Sequence, residues 1–145
     1  MTPSPLYLLD TNVLVHFVRG SQLWQRIGAT YQLLTVTPTP RISLVSEGEV
    51  RSLALQWQWG LSKLQQMEFC LSYIQTQTID DPEVVQTYAT LDAYCESLGQ
   101  SIGKNDAWIA ATASVLGATL LTTDRDFDRF PSAYLKREWI DPDTR

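Results

Sequence analysis

The sequence predicts an α/β fold whose parallel sheet is covered by helices on both faces. Three observations carry this expectation. Short apolar runs at Leu6–Leu9, Arg41–Val45 and Ala118–Thr123 have strand character. Each neighbours a segment whose apolar residues recur at helical spacing. Two of the runs end on an aspartate, Asp10 and Asp124. Sheets of this class bind ligands in a crevice beyond the carboxyl ends of their strands, near the point where strand order reverses. Both aspartates lie at such ends.

The elements follow in order. Leu6–Leu9 is a strand broken by the turn-forming Asp10-Thr11-Asn12, and Asn12–Arg19 then carries Val13 and Phe17 on one helical face up to the terminating Gly20. Arg41–Val45 (RISLV) is the second strand. After Ser46, Val50, Leu53, Ala54 and Trp57 recur at i, i+3, i+4 and i+7, a stripe that faces a core. A further helix spans Leu61 to about Ile74. The next opens on Pro82, a residue favoured in a first turn, and aligns Val84, Tyr88, Leu91, Cys95 and Leu98 until Gly99 stops it. After Gly103, KNDAWIAATASVLG reads as a helix capped by Asn105, rich in small residues that permit close packing. ATLLTT is then a buried-type strand. No repeat or long linker interrupts this pattern, and residues 1–145 read as one domain. Flexible stretches are expected at the first five residues, at TVTPTP (35–40) and at the last few residues.

With 44% hydrophobic residues the chain can bury a sizeable core. The first apolar run is too short for a signal or membrane-spanning segment and has no basic residues before it, so a soluble cytoplasmic protein is expected. Cys70 and Cys95 lie within helical patterns, in no metal-binding spacing, and read as buried reduced thiols. The formal charge of −5 argues against a broad basic nucleic-acid surface. It leaves open a site where converging acids hold divalent cations, which invert the local potential.

The acids carry the chemistry, and each has a bland alternative. Asp124, Asp126 and Asp128 alternate as in a calcium loop, but the loop's required Gly and Glu are Arg129 and Leu135 here. Asp10 could merely cap its helix. Asn12 stands where a haloacid-dehalogenase-type phosphatase needs a second Asp. Ser46 and Glu49 have the spacing of a capping box. Asp106 sits in a first turn, where the helix dipole stabilises a carboxylate. His16, the only histidine, lies far from any nucleophile set and reads as structural or exposed.

Taken together, LLDTNVLV, ISLVSEGEV, NDAWIAATA and GATLLTTDRDF, in this order, resemble the PIN domain, and most closely the VapC-like toxins of prokaryotic toxin-antitoxin pairs. The similarity spans nearly the whole chain. It implies a three-layer α/β/α sandwich with a central parallel sheet. It also implies a carboxylate cluster holding Mg²⁺ or Mn²⁺, in which Asp10, Glu49, Asp106 and Asp124 are catalytic metal ligands and Asp126 an accessory ligand. Asn12 and Thr123 resemble the polar neighbours that orient ligands or the attacking water. Asp128 matches no functional position. Oxygen ligands without clustered His or Cys suit hard cations.

The implied activity is hydrolysis of RNA phosphodiester bonds, an endoribonuclease acting as a toxin. Lys104, Arg125 and Arg129 flank the acids and are candidate phosphate contacts, with ordinary solvated charge as the alternative. Leu55 and Trp59 lie about 200° around from Leu53 and Trp57, so something besides the core should cover them. That cover is either the next helix or, by the resemblance, a homodimer partner or a cognate antitoxin whose C-terminal segment reaches the acids. Two other readings are a non-catalytic binding module of the same fold and a metal-dependent phosphatase.

Overall fold

Residues 4–143 of the computed structural model are described here; the ends expected to be flexible lie partly outside them, at 1–3 and 144–145. The elements run β1 (Tyr7–Leu9), α1 (Thr11–Arg19), α2 (Gln22–Tyr31), β2 (Arg41–Ser43), α3 (Leu44–Gln56), α4 (Leu61–Tyr73), β3 (Gln75–Gln77), α5 (Pro82–Ser97), α6 (Lys104–Leu116), β4 (Thr119–Thr122), a 3₁₀ turn (Arg125–Arg129) and β5 (Lys136–Trp139). The strands form one sheet in the order β3-β2-β1-β4-β5, and every neighbouring pair is parallel. The α/β expectation therefore holds, with the order reversing between β1 and β4.

Alternation along the central strands explains the layers. Leu8 pairs in register with Leu120, and Leu9 with Leu121. Leu9 and Leu121 join Ile42 and residues of α1 to α4 in one core cluster, including Val13, Phe17, Ile27, Val50 and Met67. Leu8 and Leu120 face the opposite cluster, built from α5, α6 and the segment after β4, including Leu91, Ile109, Ala110 and Phe127. Because both faces are dry, β1 and β4 read as unbroken apolar runs. The small face of α6 behaves as expected: Ala107, Ala110, Ala111 and Ala113 are fully buried, and α6 lies against α5.

Local signals set most boundaries. Gly20 ends α1 at φ +60°, a left-handed conformation in which its N–H caps carbonyls of α1. Asp81 caps α5 ahead of Pro82. His16 Nδ1 lies 2.8 Å from the hydroxyl of Ser21, the residue that caps α2, so the lone histidine ties α1 to α2. Both cysteines are free and buried. No helix of the described residues is long and apolar enough to cross a membrane.

Several expectations are corrected. The second strand stops at Ser43, because the Ser43 hydroxyl accepts from Val45 N–H at 3.1 Å and starts α3 three residues early. Ser46 and Glu49 thus lie inside α3 and form no capping box. Gly103, without a side-chain bond, occupies the cap position of α6 expected for Asn105. Trp57 is 44% exposed and closes α3 instead of continuing its core stripe, while Trp59 packs onto the α1–α4 core and Leu55 stays 79% exposed. Elements α2, β3, β5 and the 3₁₀ turn go beyond the expected set. The two added strands are the sheet edges, with polar sequences QTQ and KREW.

Leu121 is fully buried in a central strand. Leu121→Ala should therefore lower unfolding free energy by roughly 3 kcal/mol in urea titration, whereas Leu55→Ala should change it by less than about 0.5 kcal/mol.

Candidate metal-dependent active site

The carboxyl ends of β1 and β4 are neighbours, and the chain leaves them towards opposite faces of the sheet. Asp10 therefore emerges beside Asp124 at the point where strand order reverses. The second turn of α3 and the first turn of α6 bring Glu49 and Asp106 to the same edge. These four acids, with Thr11, Asn12, Asn105 and a wall of α3, line one cleft of about 650 Å³. Four distant segments that the sequence singled out converge here.

Carboxylate oxygens of Asp106, Asp124 and Asp126 all lie within 4.8 Å of one another. Two oxygens bound to one Mg²⁺ at about 2.1 Å can stand at most about 4.2 Å apart. A small closure would thus let this all-oxygen set bind a hard cation, so the residues fit such an ion. Asp10 and Glu49 share the cleft but stand outside that trio.

Hydroxyl groups fix the acids. Thr122 Oγ1 donates to Asp10 Oδ2 at 2.7 Å and accepts from Asp124 N–H at 2.9 Å, so one side chain links the two strand ends. The Thr11 N–H donates to Asp10 Oδ1 at 2.7 Å. Thr11 Oγ1 donates to Glu49 Oε1 at 2.6 Å and lies 2.9 Å from the buried Ser46 Oγ. Asp124 Oδ1 in turn accepts from Asp126 N–H at 2.8 Å and shapes the 3₁₀ turn.

Two of these contributors, Thr11 and Thr122, were not singled out in the sequence, and Ser46 was singled out only as a helix cap. Thr123, expected beside the acids, instead offers its backbone carbonyl to the Trp139 indole at 3.0 Å. The only available signal was a hydroxyl residue at a strand end next to an acid. In LLTTD two threonines compete for that description; Thr122 is the last residue of β4 and Thr123 lies just beyond it. Asn12 is exposed and lines the cleft.

The flanking cations are largely engaged. Lys104 Nζ lies 2.9 Å from Asp92. The Arg125 guanidinium sits 3.6 Å over the Trp139 ring and pairs with Asp128 at 3.3 Å. Arg129 lies 3.7 Å from Asp126 and donates to the Ser101 carbonyl. Asp128 also accepts from Arg137 at 2.9 Å, which makes it a tie between the 3₁₀ turn and β5.

Burial and crowding raise two of the acids. Burial first, then the charges of Asp124 and Glu49, lift Asp10 to about 6 against the pull of its Thr122 and Thr11 hydrogen bonds. Burial, then Asp10, Asp124, Glu49 and Asp126, lift Asp106 to about 7. Both carboxyls hold protons in the folded chain at pH values where the unfolded chain has released them. Stability must therefore fall as pH rises from about 4 to about 7. The metal-free protein should melt progressively lower between about pH 5 and pH 7.5, and Asp106→Asn should flatten that slope.

The PIN domain family model matches residues 7–132. No curated protein sequence matches the chain. Among solved structures, VapBC2 of Rickettsia felis, bound to a DNA fragment from its promoter, is similar at 25% identity and TM-score 0.79, covering 92% of this chain and 97% of that one. VapBC-1 of nontypeable Haemophilus influenzae is similar at 22% identity and TM-score 0.72, with the same coverages of 92% and 97%. VapBC-5 of Mycobacterium tuberculosis, a member of the VapBC family of toxin-antitoxin systems, is similar at 21% and TM-score 0.68, covering 94% and 100%. With the five-stranded parallel sheet and the cleft at its switch point, the family match shows that this chain belongs to the PIN domain family.

Proposed function

We propose that the protein is a metal-dependent endoribonuclease and the toxin of a toxin-antitoxin pair. The observation that carries this reading is the convergence of Asp10, Glu49, Asp106 and Asp124 on one cleft, with Asp126 completing an oxygen trio of cation-binding dimensions. Caps alone would satisfy each acid on its own helix. They give no reason for acids from four segments to share a site in which two have lost their ordinary acidity. That clustering favours an enzyme over a binding module. The likeness to VapBC structures supports the toxin role and a cognate antitoxin as partner; a homodimer is part of the same proposal.

Asp106, Asp124 and Asp126 would hold the ion, with Asp10 beside them. When bound, Mg²⁺ or Mn²⁺ supplies positive charge for the phosphate and lowers the pKa of water. The chain's own residues do the rest. Thr122 holds Asp10 and Asp124 in a fixed relation. The Thr11 hydroxyl locks one oxygen of Glu49, so that this carboxylate can orient the attacking water. The water oxygen adds to phosphorus in line with the departing group, the P–O3′ bond breaks, and a proton from the water reaches O3′. The products carry a 5′-phosphate and a 3′-hydroxyl.

Purified protein with Mg²⁺ or Mn²⁺ should cleave structured RNA, while Asp124→Asn and EDTA should each abolish cleavage; equal cleavage by the variant would reveal a contaminant and sink the reading. Thr122→Val should fold yet lose roughly ten-fold in Mn²⁺ affinity by calorimetry, and Thr122→Ser should retain it. If Val matches the native residue, the bridge between Asp10 and Asp124 does not position ligands.

A further inference from the structure

We propose that Trp57 and Trp59, with Arg19 and Lys63, form a docking platform for single-stranded RNA at the far end of the acid cleft. The proposal rests on the ribonuclease reading above. The α3 wall of the cleft runs through Glu49, Ser52, Leu53 and Gln56. Trp57 follows at the helix end, about 12 Å along the axis from Glu49. An RNA strand that leaves the cleft along this wall meets Trp57 first.

The platform pairs aromatic faces with cations. The Arg19 guanidinium lies 4.6 Å from the centroid of Trp57, and Lys63 Nζ lies 5.8 Å from that of Trp59. The two indoles stand 5.9 Å apart, tilted by 50°. Trp57 remains 44% exposed. A second cleft of about 540 Å³, lined by Arg19, Gly60, Leu61, Lys63 and others, opens beside them. Base stacking on aromatic rings with neighbouring cations is the sequence-tolerant way proteins hold single strands.

Charge decides the occupant. Residues 11–73, which supply α1 to α4, carry five cations (Arg19, Arg26, Arg41, Arg51, Lys63) against three acids, whereas 74–143 carry five cations against twelve acids. Of the three acids, Glu47 and Glu68 are paired with Arg51, and the third is Glu49 in the cleft. Arg19 and Lys63 have no acidic partner among the described residues. A chain of net charge −5 thus keeps unpaired positive charge next to two indoles, on the side where a polyanion can leave an acid-rich cleft.

The test measures anisotropy of a labelled, short, mixed-sequence RNA in the Asp124→Asn background, so that the RNA stays intact. Trp57→Ala should weaken binding about ten-fold. Arg19→Gln should reduce the slope of log affinity against log salt by about 0.7. In the otherwise native chain, both variants should hydrolyse bis-para-nitrophenyl phosphate, which occupies the acid cleft alone, at the native rate. Unchanged RNA affinity and salt slope, with hydrolysis of that diester intact, would overturn the platform and leave the nuclease reading standing. Failure of the native protein to hydrolyse either substrate would remove the nuclease reading instead. Dissociation of a dimer by both variants in sedimentation, without change in RNA affinity, would assign the surface to a second copy and likewise overturn the proposal. If Trp57→Ala misfolds by circular dichroism, the Arg19→Gln salt slope decides.

Discussion

Five carboxylates drawn to one edge of a sheet repel one another, and the architecture around that edge exists to hold them there. Placed in a partly dry cleft, they cannot all ionise without cost. Asp10 and Asp106 show this by holding protons well above the ordinary carboxylate range. The sheet order makes the crowding unavoidable, because β1 and β4 are hydrogen-bonded neighbours that both end on an acid. A divalent cation is the natural relief, since it turns repulsion among the acids into shared attraction.

Neutral hydroxyls do the positioning. Thr122 and Thr11 donate to carboxylates without adding charge, so they fix geometry while leaving the site's demand for positive charge in place. Arginines or lysines at those positions would satisfy the acids internally and compete with an ion. The cations near the site are tied elsewhere, Lys104 to Asp92 and Arg125 to Trp139 and Asp128. The core behind the site is fully buried there: Leu8, Leu9, Leu120 and Leu121 anchor the two strand ends from both faces.

Much of this was legible in the sequence, for identifiable reasons. The buried strands β1 and β4 stand out as apolar runs because both faces are covered, and the acids stand out because they interrupt those runs. Helices α5 and α6 stand out through Pro82, Gly99 and a run of alanines. Less was legible where burial is partial. β3 and β5 are edge strands with polar sequences, so periodicity carries little signal there. The start of α3 depended on Ser43 choosing to cap a helix in place of extending a strand, a choice made by one hydroxyl. Thr122 is the last residue of β4 and Thr123 the first beyond it, and the register that sets Thr122 against Asp10 comes from pairing with a strand more than a hundred residues away in sequence.

If the acids are held together for a cation, binding of that ion must release the protons that two of them hold. Calorimetric titration of Mn²⁺ at about pH 6.5, repeated in buffers of different ionisation enthalpy, measures protons released per ion bound. If ligands must ionise to bind, roughly one proton should leave per ion at that pH, fewer by about pH 8, and affinity should rise with pH. Binding with no proton release and no pH dependence, or no binding at all, would contradict the account.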